Sequence, residues 1–60
     1  GITVIDFKTD RVNSETINAV AHRYFPQVKA YADSLSRIFG EPILNAYLYF
    51  FELNIFIPVI

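Results

Sequence analysis

The stretch Ile2-Thr3-Val4-Ile5-Asp6-Phe7-Lys8-Thr9 is an apolar run into which an acid and a base are set two residues apart. Side chains of a strand alternate between faces, so Asp6 and Lys8 share one face with Ile2 and Val4, about 6.6 Å apart along the strand. Thr3, Ile5, Phe7 and Thr9 take the other. A strand apolar on both faces is normally an inner strand of a sheet covered on both sides, where a carboxylate is costly unless paired or bound to a metal. Asp6 and Lys8 are therefore either a solvated ion pair where the strand emerges or parts of a site.

Beyond Lys8 the run breaks into the polar connection Thr9-Asp10-Arg11-Val12-Asn13-Ser14. Asn13 or Ser14 can cap a helix there, with Glu15 placed in its first turn to meet the helix dipole. Ile17, Val20, Ala21 and Tyr24 follow at helical spacing, which predicts a short helix over residues 14–24. Pro26 disfavours helical geometry in the residue before it but fits the first turn of a new helix, so the chain is expected to bend at Phe25 and start again. A second helix is predicted from Pro26 to Phe39. Its buried stripe is read as Val28, Tyr31, Ala32, Leu35, Ile38 and Phe39, and Gly40 supplies the stop.

Residues 43–51 then form a dense aliphatic and aromatic run, followed by Glu52-Leu53-Asn54 and Ile55-Phe56-Ile57-Pro58-Val59-Ile60. One reading is a strand, a tight turn at Leu53-Asn54 and a returning strand, with Pro58 marking that last strand as an edge. The rival is a membrane span, because residues 43–60 carry a single charge, Glu52; that charge would lie near mid-bilayer, and the expectation is no membrane contact. Strand, helix and strand make a right-handed βαβ unit with parallel strands. The predicted fold is α/β: a βαβ unit plus an antiparallel third strand, a mixed sheet in the order 1-2-3, and the helices on one face.

Sixty residues allow at most one small domain. There is no cysteine for a disulfide or zinc site, and one histidine, His22, cannot build a metal cluster alone. His22 is expected to be a partly exposed helix residue. Apolar residues make up 53% of the chain and charged ones 18%, which excludes a disordered tail and suggests a core that continues elsewhere. The absence of methionine fits a piece of a longer protein. A net charge of −1 argues against nucleic-acid binding by electrostatics alone, and no signal peptide appears in these residues. The expected location is cytoplasmic.

Two local patterns coincide: Ile5-Asp6-Phe7-Lys8-Thr9 at the end of the first strand, and Tyr24-Phe25-Pro26-Gln27-Val28-Lys29-Ala30-Tyr31 on the helix. In this order and spacing they resemble the PD-(D/E)XK nuclease fold, specifically the RecB-like nuclease domain at the C-terminus of bacterial AddA-type ATP-dependent helicase-nucleases. The first looks like that family's D-F/Y-K-T motif and the second like its Y-x-x-Q-x-x-x-Y motif. The resemblance implies a partial restriction-endonuclease-like core, with residues 1–60 as the C-terminal half of the nuclease domain. It implies a DNA exonuclease acting on double-strand ends in recombinational repair, with DNA and the remaining nuclease and helicase domains as partners. Asp6 and the backbone carbonyl of Phe7 would be ligands of Mg2+ or Mn2+, with Lys8, Gln27 and Tyr31 completing the catalytic set.

The resemblance also leaves gaps. The family's further acid and its histidine lie upstream of the matched stretch, and His22 does not take that histidine's role. No G-x-x-x-x-G-K-S/T motif is present for a helicase motor. The alternative is a catalytically inactive nuclease-like module that binds DNA ends or other domains. On either reading the edge at Ile2 to Lys8 is expected to be exposed and to join copies of the chain as a homo-oligomer.

Overall fold

The computed structural model describes residues 1–60. Four elements follow in chain order: strand β1 (Ile2–Lys8), helix α1 (Ile17–Phe39), strand β2 (Ile43–Phe50) and strand β3 (Ile55–Pro58). β1 pairs parallel with β2 and β2 antiparallel with β3, giving the order β1-β2-β3. This is the mixed sheet expected from the sequence. The β2–β3 turn forms where asparagine allows it: Asn54 adopts a φ of 51°. Pro58, which cannot donate to a ladder, lies on the edge strand. The parallel ladder is irregular at its start, with Ile2 opposite Ile43 and Thr3 opposite Asn45, so Leu44 is skipped.

One helix stands where two were expected. α1 runs through Pro26 without a break at Phe25. Proline removes one intrahelical hydrogen bond and crowds the preceding turn, a cost of roughly 3 kcal/mol. Burial on both sides of it outweighs that cost: Ile17 and Ala21 before the proline and Val28 and Ala32 after it fall on one stripe, each at most 5% exposed. A bend at Phe25 would lift one half of that stripe off the sheet. The start also differs in detail, because residues 14–16 form a turn before the helix begins at Ile17. The residue that precedes the first helical turn is Thr16, not Asn13 or Ser14, and its side chain makes no capping bond to the helix; Asn13 instead ties down the turn before it. The Asn13 Oδ1 accepts from the Glu15 and Thr16 N–H groups at 2.8 and 2.9 Å, and Thr16 Oγ1 accepts from the Asn13 N–H in return. At the other end Gly40, at φ 65°, donates its N–H to the Ser36 carbonyl.

The helix covers one face of the sheet. Val4 from β1 and Ala46, Leu48 and Phe50 from β2 meet the stripe, joined by Val12 and Val59, and no polar side chain is buried with them. Three residues expected in the stripe are outside it: Tyr31, Ile38 and Phe39 are 57%, 74% and 64% exposed. A 23-residue helix is about 34 Å long and an 8-residue strand about 26 Å, so the last turns of α1 overrun the sheet and Ile38 and Phe39 have nothing beneath them.

The opposite face is uncovered. Ile5 and Phe7 of β1, which the two-sided apolar pattern assigned to a covered inner strand, are exposed there, and β1 has β2 as its one neighbour. Phe7 stacks on Phe51 at 5.6 Å and meets Tyr49 edge-on at 5.9 Å, and Phe56 lies against Tyr47 and Tyr49. These rings shelter one another in place of a second layer. No helix is long and apolar enough to cross a membrane, and the run from residue 43 onward is two strands and a turn.

Candidate active site

Alternation along β1 turns Asp6 and Lys8 toward the helix side at the end of the strand, beside the fully buried Leu48 and Phe50 of β2. Lys8 Nζ lies 3.2 Å from Asp6 Oδ2, with the lysine side chain 18% exposed and the aspartate 35%. The pair is therefore neither solvated freely nor sealed in the core. It sits at a boundary where a charge interaction is stronger than in water but remains reachable.

Along the free side of β1, an open cleft of about 470 Å³ is lined by Ile5, Asp6 and Phe7 from the strand and Gln27, Val28 and Tyr31 from the helix. Four residues singled out from sequence, Asp6, Phe7, Gln27 and Tyr31, thus converge on one concavity from two elements separated by some twenty residues of chain. Gln27 and Tyr31 are one turn apart on the helix and both exposed, so their polar ends are available to whatever enters. Lys8 is not among the lining residues. It approaches Asp6 from beyond the cleft.

What holds Lys8 there was not read from the sequence. Its ammonium lies 4.1 Å from the centroid of the Tyr24 ring, and the Tyr24 hydroxyl donates to Asp10 Oδ2 at 2.8 Å. That hydrogen bond to Asp10 is the main reason the Tyr24 phenol is raised above its ordinary value of 10.0; partial burial and the charge of Asp10 add to it. Tyr24 opens the Y-x-x-Q-x-x-x-Y pattern and Asp10 follows Lys8 by two. Helical spacing assigned the tyrosine to packing, and its half-buried ring does both. His22 is exposed, as expected, with its ring 4.7 Å from that of Phe25.

No three histidine, cysteine, aspartate or glutamate side chains gather anywhere in the chain. Near the cleft, Asp6 offers one carboxylate and Phe7 one carbonyl, whereas an octahedral magnesium ion takes six oxygen ligands. Asp6 is moreover already neutralised by Lys8. These residues do not by themselves fit a divalent metal centre; they could furnish one side of it.

Comparison with known proteins gives one consistent match. The chain is 40% identical over 57 residues to the A subunit of an ATP-dependent helicase/nuclease from Listeria welshimeri, an alignment covering 85% of this chain and 5% of that protein. It is 37% identical over 59 residues to a protein of the same name from Clostridium botulinum, covering 98% of this chain and 4% of that protein. The chain thus spans about one twentieth of the length of these relatives. No protein-family model matches the chain, and no solved structure does.

Proposed function

We propose that this chain is one section of the nuclease domain of an ATP-dependent helicase/nuclease, the C-terminal half of a RecB-like, PD-(D/E)XK-type fold, and that it carries part of a metal-dependent exonuclease site. The observation that carries the reading is the convergence of Asp6, Phe7, Gln27 and Tyr31 on one cleft with Lys8 paired to Asp6. Similarity to helicase/nuclease proteins over nearly the whole chain supports it. A cytoplasmic site of action on double-strand DNA ends, within recombinational repair, belongs to the same reading.

In that role Asp6 and the Phe7 carbonyl would supply two oxygens to Mg2+ or Mn2+, and the remaining ligands would come from outside residues 1–60. The bound ion would lower the pKa of a water and neutralise charge on the scissile phosphate. Lys8 places a fixed positive charge beside the carboxylate, where it orients the attacking water and stabilises charge developing on the phosphoryl oxygens. Gln27 and Tyr31, on the opposite wall of the cleft, donate hydrogen bonds to the DNA backbone and set its depth. The near-neutral charge of the chain leaves most phosphate contacts to other domains.

The test uses the full-length helicase/nuclease chain that carries this segment. Asp6→Ala is expected to abolish metal-dependent degradation of linear duplex DNA. Lys8→Ala is expected to slow it by about 100-fold or more, the scale of removing one transition-state charge stabiliser. Cleavage at the parental rate by either variant would leave the inactive nuclease-like module, binding DNA ends or neighbouring domains, as the reading to adopt.

A further inference from the structure

We infer that Tyr24, anchored by Asp10, is the positioning residue for Lys8: its ring holds the ammonium at the strand end while the Asp6 carboxylate is engaged elsewhere. This deepens the nuclease reading and rests on it. Lys8 has two hosts, Asp6 Oδ2 at 3.2 Å and the Tyr24 ring at 4.1 Å. They make different demands. A carboxylate that turns to a cation, or to a water poised on phosphate, gives up much of its attraction for the lysine, and a four-carbon side chain with free rotors then relaxes into solvent. The ring face attracts the ammonium through its quadrupole and keeps doing so whatever Asp6 does, and the interaction is strongest where the cation is partly desolvated. Lys8 meets that condition, with 18% of its side chain exposed.

Asp10 fixes the ring from the far side. The 2.8 Å bond from the tyrosine hydroxyl to its carboxylate ties the loop after β1 to the middle of α1 and stops the ring from swinging out of register. A hydroxyl donating to a carboxylate also shifts electron density toward the ring, which deepens the negative face the ammonium sees. Asp10, Tyr24, Lys8 and Asp6 thus form a relay of contacts from loop to helix to strand, and the lysine's position is set before any ligand arrives.

Two measurements test it. In the 60-residue chain, NMR of the Lys8 ε-methylene should show protons shifted upfield by the ring current of Tyr24. That shift should persist in Asp6→Asn, where the ion pair is weakened, and vanish in Tyr24→Leu. Lys8 ε protons at free-lysine positions in an unmodified chain whose Val4 and Leu48 methyl signals are dispersed as in a folded core, or a shift lost in Asp6→Asn with that dispersion kept, overturns the placement without reliance on whether Tyr24→Leu folds. In the full-length enzyme, Tyr24→Leu should lower kcat for DNA cleavage about 10-fold, the scale of a desolvated cation–π contact, with KM for DNA changed less than about twofold. Tyr24→Phe, which keeps the ring, should restore most of the loss. Parental kcat in Tyr24→Leu, while Asp6→Ala and Lys8→Ala are inactive, refutes the positioning role and leaves the nuclease reading standing. Parental cleavage in Asp6→Ala and Lys8→Ala overturns both.

Discussion

Replacing Pro26 with alanine is expected to stabilise the chain. The proline sits inside a 23-residue helix at an exposed position, so no packing is lost with its ring. In an exposed helix interior, proline is about 3 kcal/mol less favourable than alanine, through the missing N–H donor to the His22 carbonyl and the clash with the preceding turn. Against this, proline narrows the unfolded ensemble, an advantage of about 0.4–1 kcal/mol that alanine surrenders. The balance is a gain of about 2 kcal/mol. For a domain of this size each kcal/mol moves Tm by about 4–8 °C, so Pro26→Ala should raise Tm by about 8–16 °C. Thermal unfolding followed by circular dichroism at 222 nm would measure the Tm, and urea titration by the same signal should show the midpoint rising with the slope unchanged. A variant no more stable than its parent would refute the reasoning, because it would mean that the helix around Pro26 is already relaxed into a geometry alanine cannot improve.

Four further outcomes are expected. Phe50→Ala removes a side chain with no exposed surface and should cost about 3–5 kcal/mol, enough to unfold most of the chain at room temperature by the same dichroism assay. The Tyr24 phenol, raised chiefly by its bond to Asp10, should ionise above the ordinary tyrosine value of 10.0 in an ultraviolet pH titration, and Asp10→Asn should bring it back toward that value. Because the folded value lies above the unfolded one, the stability this contributes is complete below about pH 10 and fades as pH rises through the folded value, which alkaline denaturation with and without Asp10→Asn can check. The 60-residue chain alone should neither bind Mg2+ tightly by calorimetry nor degrade linear duplex DNA, and robust magnesium-dependent cutting abolished by Asp6→Ala would show its donor set to be complete. The open side of β1 should pair copies of the chain, read as mass above the monomer in light scattering after size exclusion; a monomer at all concentrations counts against it.

The strand order, the parallel crossover and the Asn54 turn were legible because each rests on local chemistry: alternation in residues 2–8, a helix-length apolar stripe, and an asparagine where positive φ was needed. Pro26 misled because a local rule was overruled by a distant one. Its cost is fixed by the backbone, whereas the burial of Ile17, Ala21, Val28 and Ala32 depends on a sheet whose strands lie at both ends of the chain. Ile38 and Phe39 misled for a related reason, since periodicity says which way a residue faces and not whether anything lies opposite. Around the cleft, Asp6, Phe7, Gln27 and Tyr31 could be singled out through the family resemblance that their two motifs carry, which spacing alone would not have done. The Tyr24–Asp10 bond could not, because a loop aspartate fourteen residues away carries no periodic signal.

The parallel pairing of β1 with β2 has a kinetic consequence. Phe50 meets Ile55 across a short turn, but Ile2 must find Ile43 on the far side of the whole helix, so the hairpin can form early and β1 docks after the crossover is in place. β1, like β3, has a ladder on one side alone, so it can detach while β2 keeps its other neighbour. Detachment need not melt the hairpin or the helix. It would carry Asp6 and Lys8 away from Gln27, Tyr31 and Tyr24 in a single step, so the cleft and the lysine's seat appear and vanish together. Amide hydrogens of residues 2–8 should then exchange faster than those of residues 46–50, and the exchange rate of one strand would report how often the whole constellation exists.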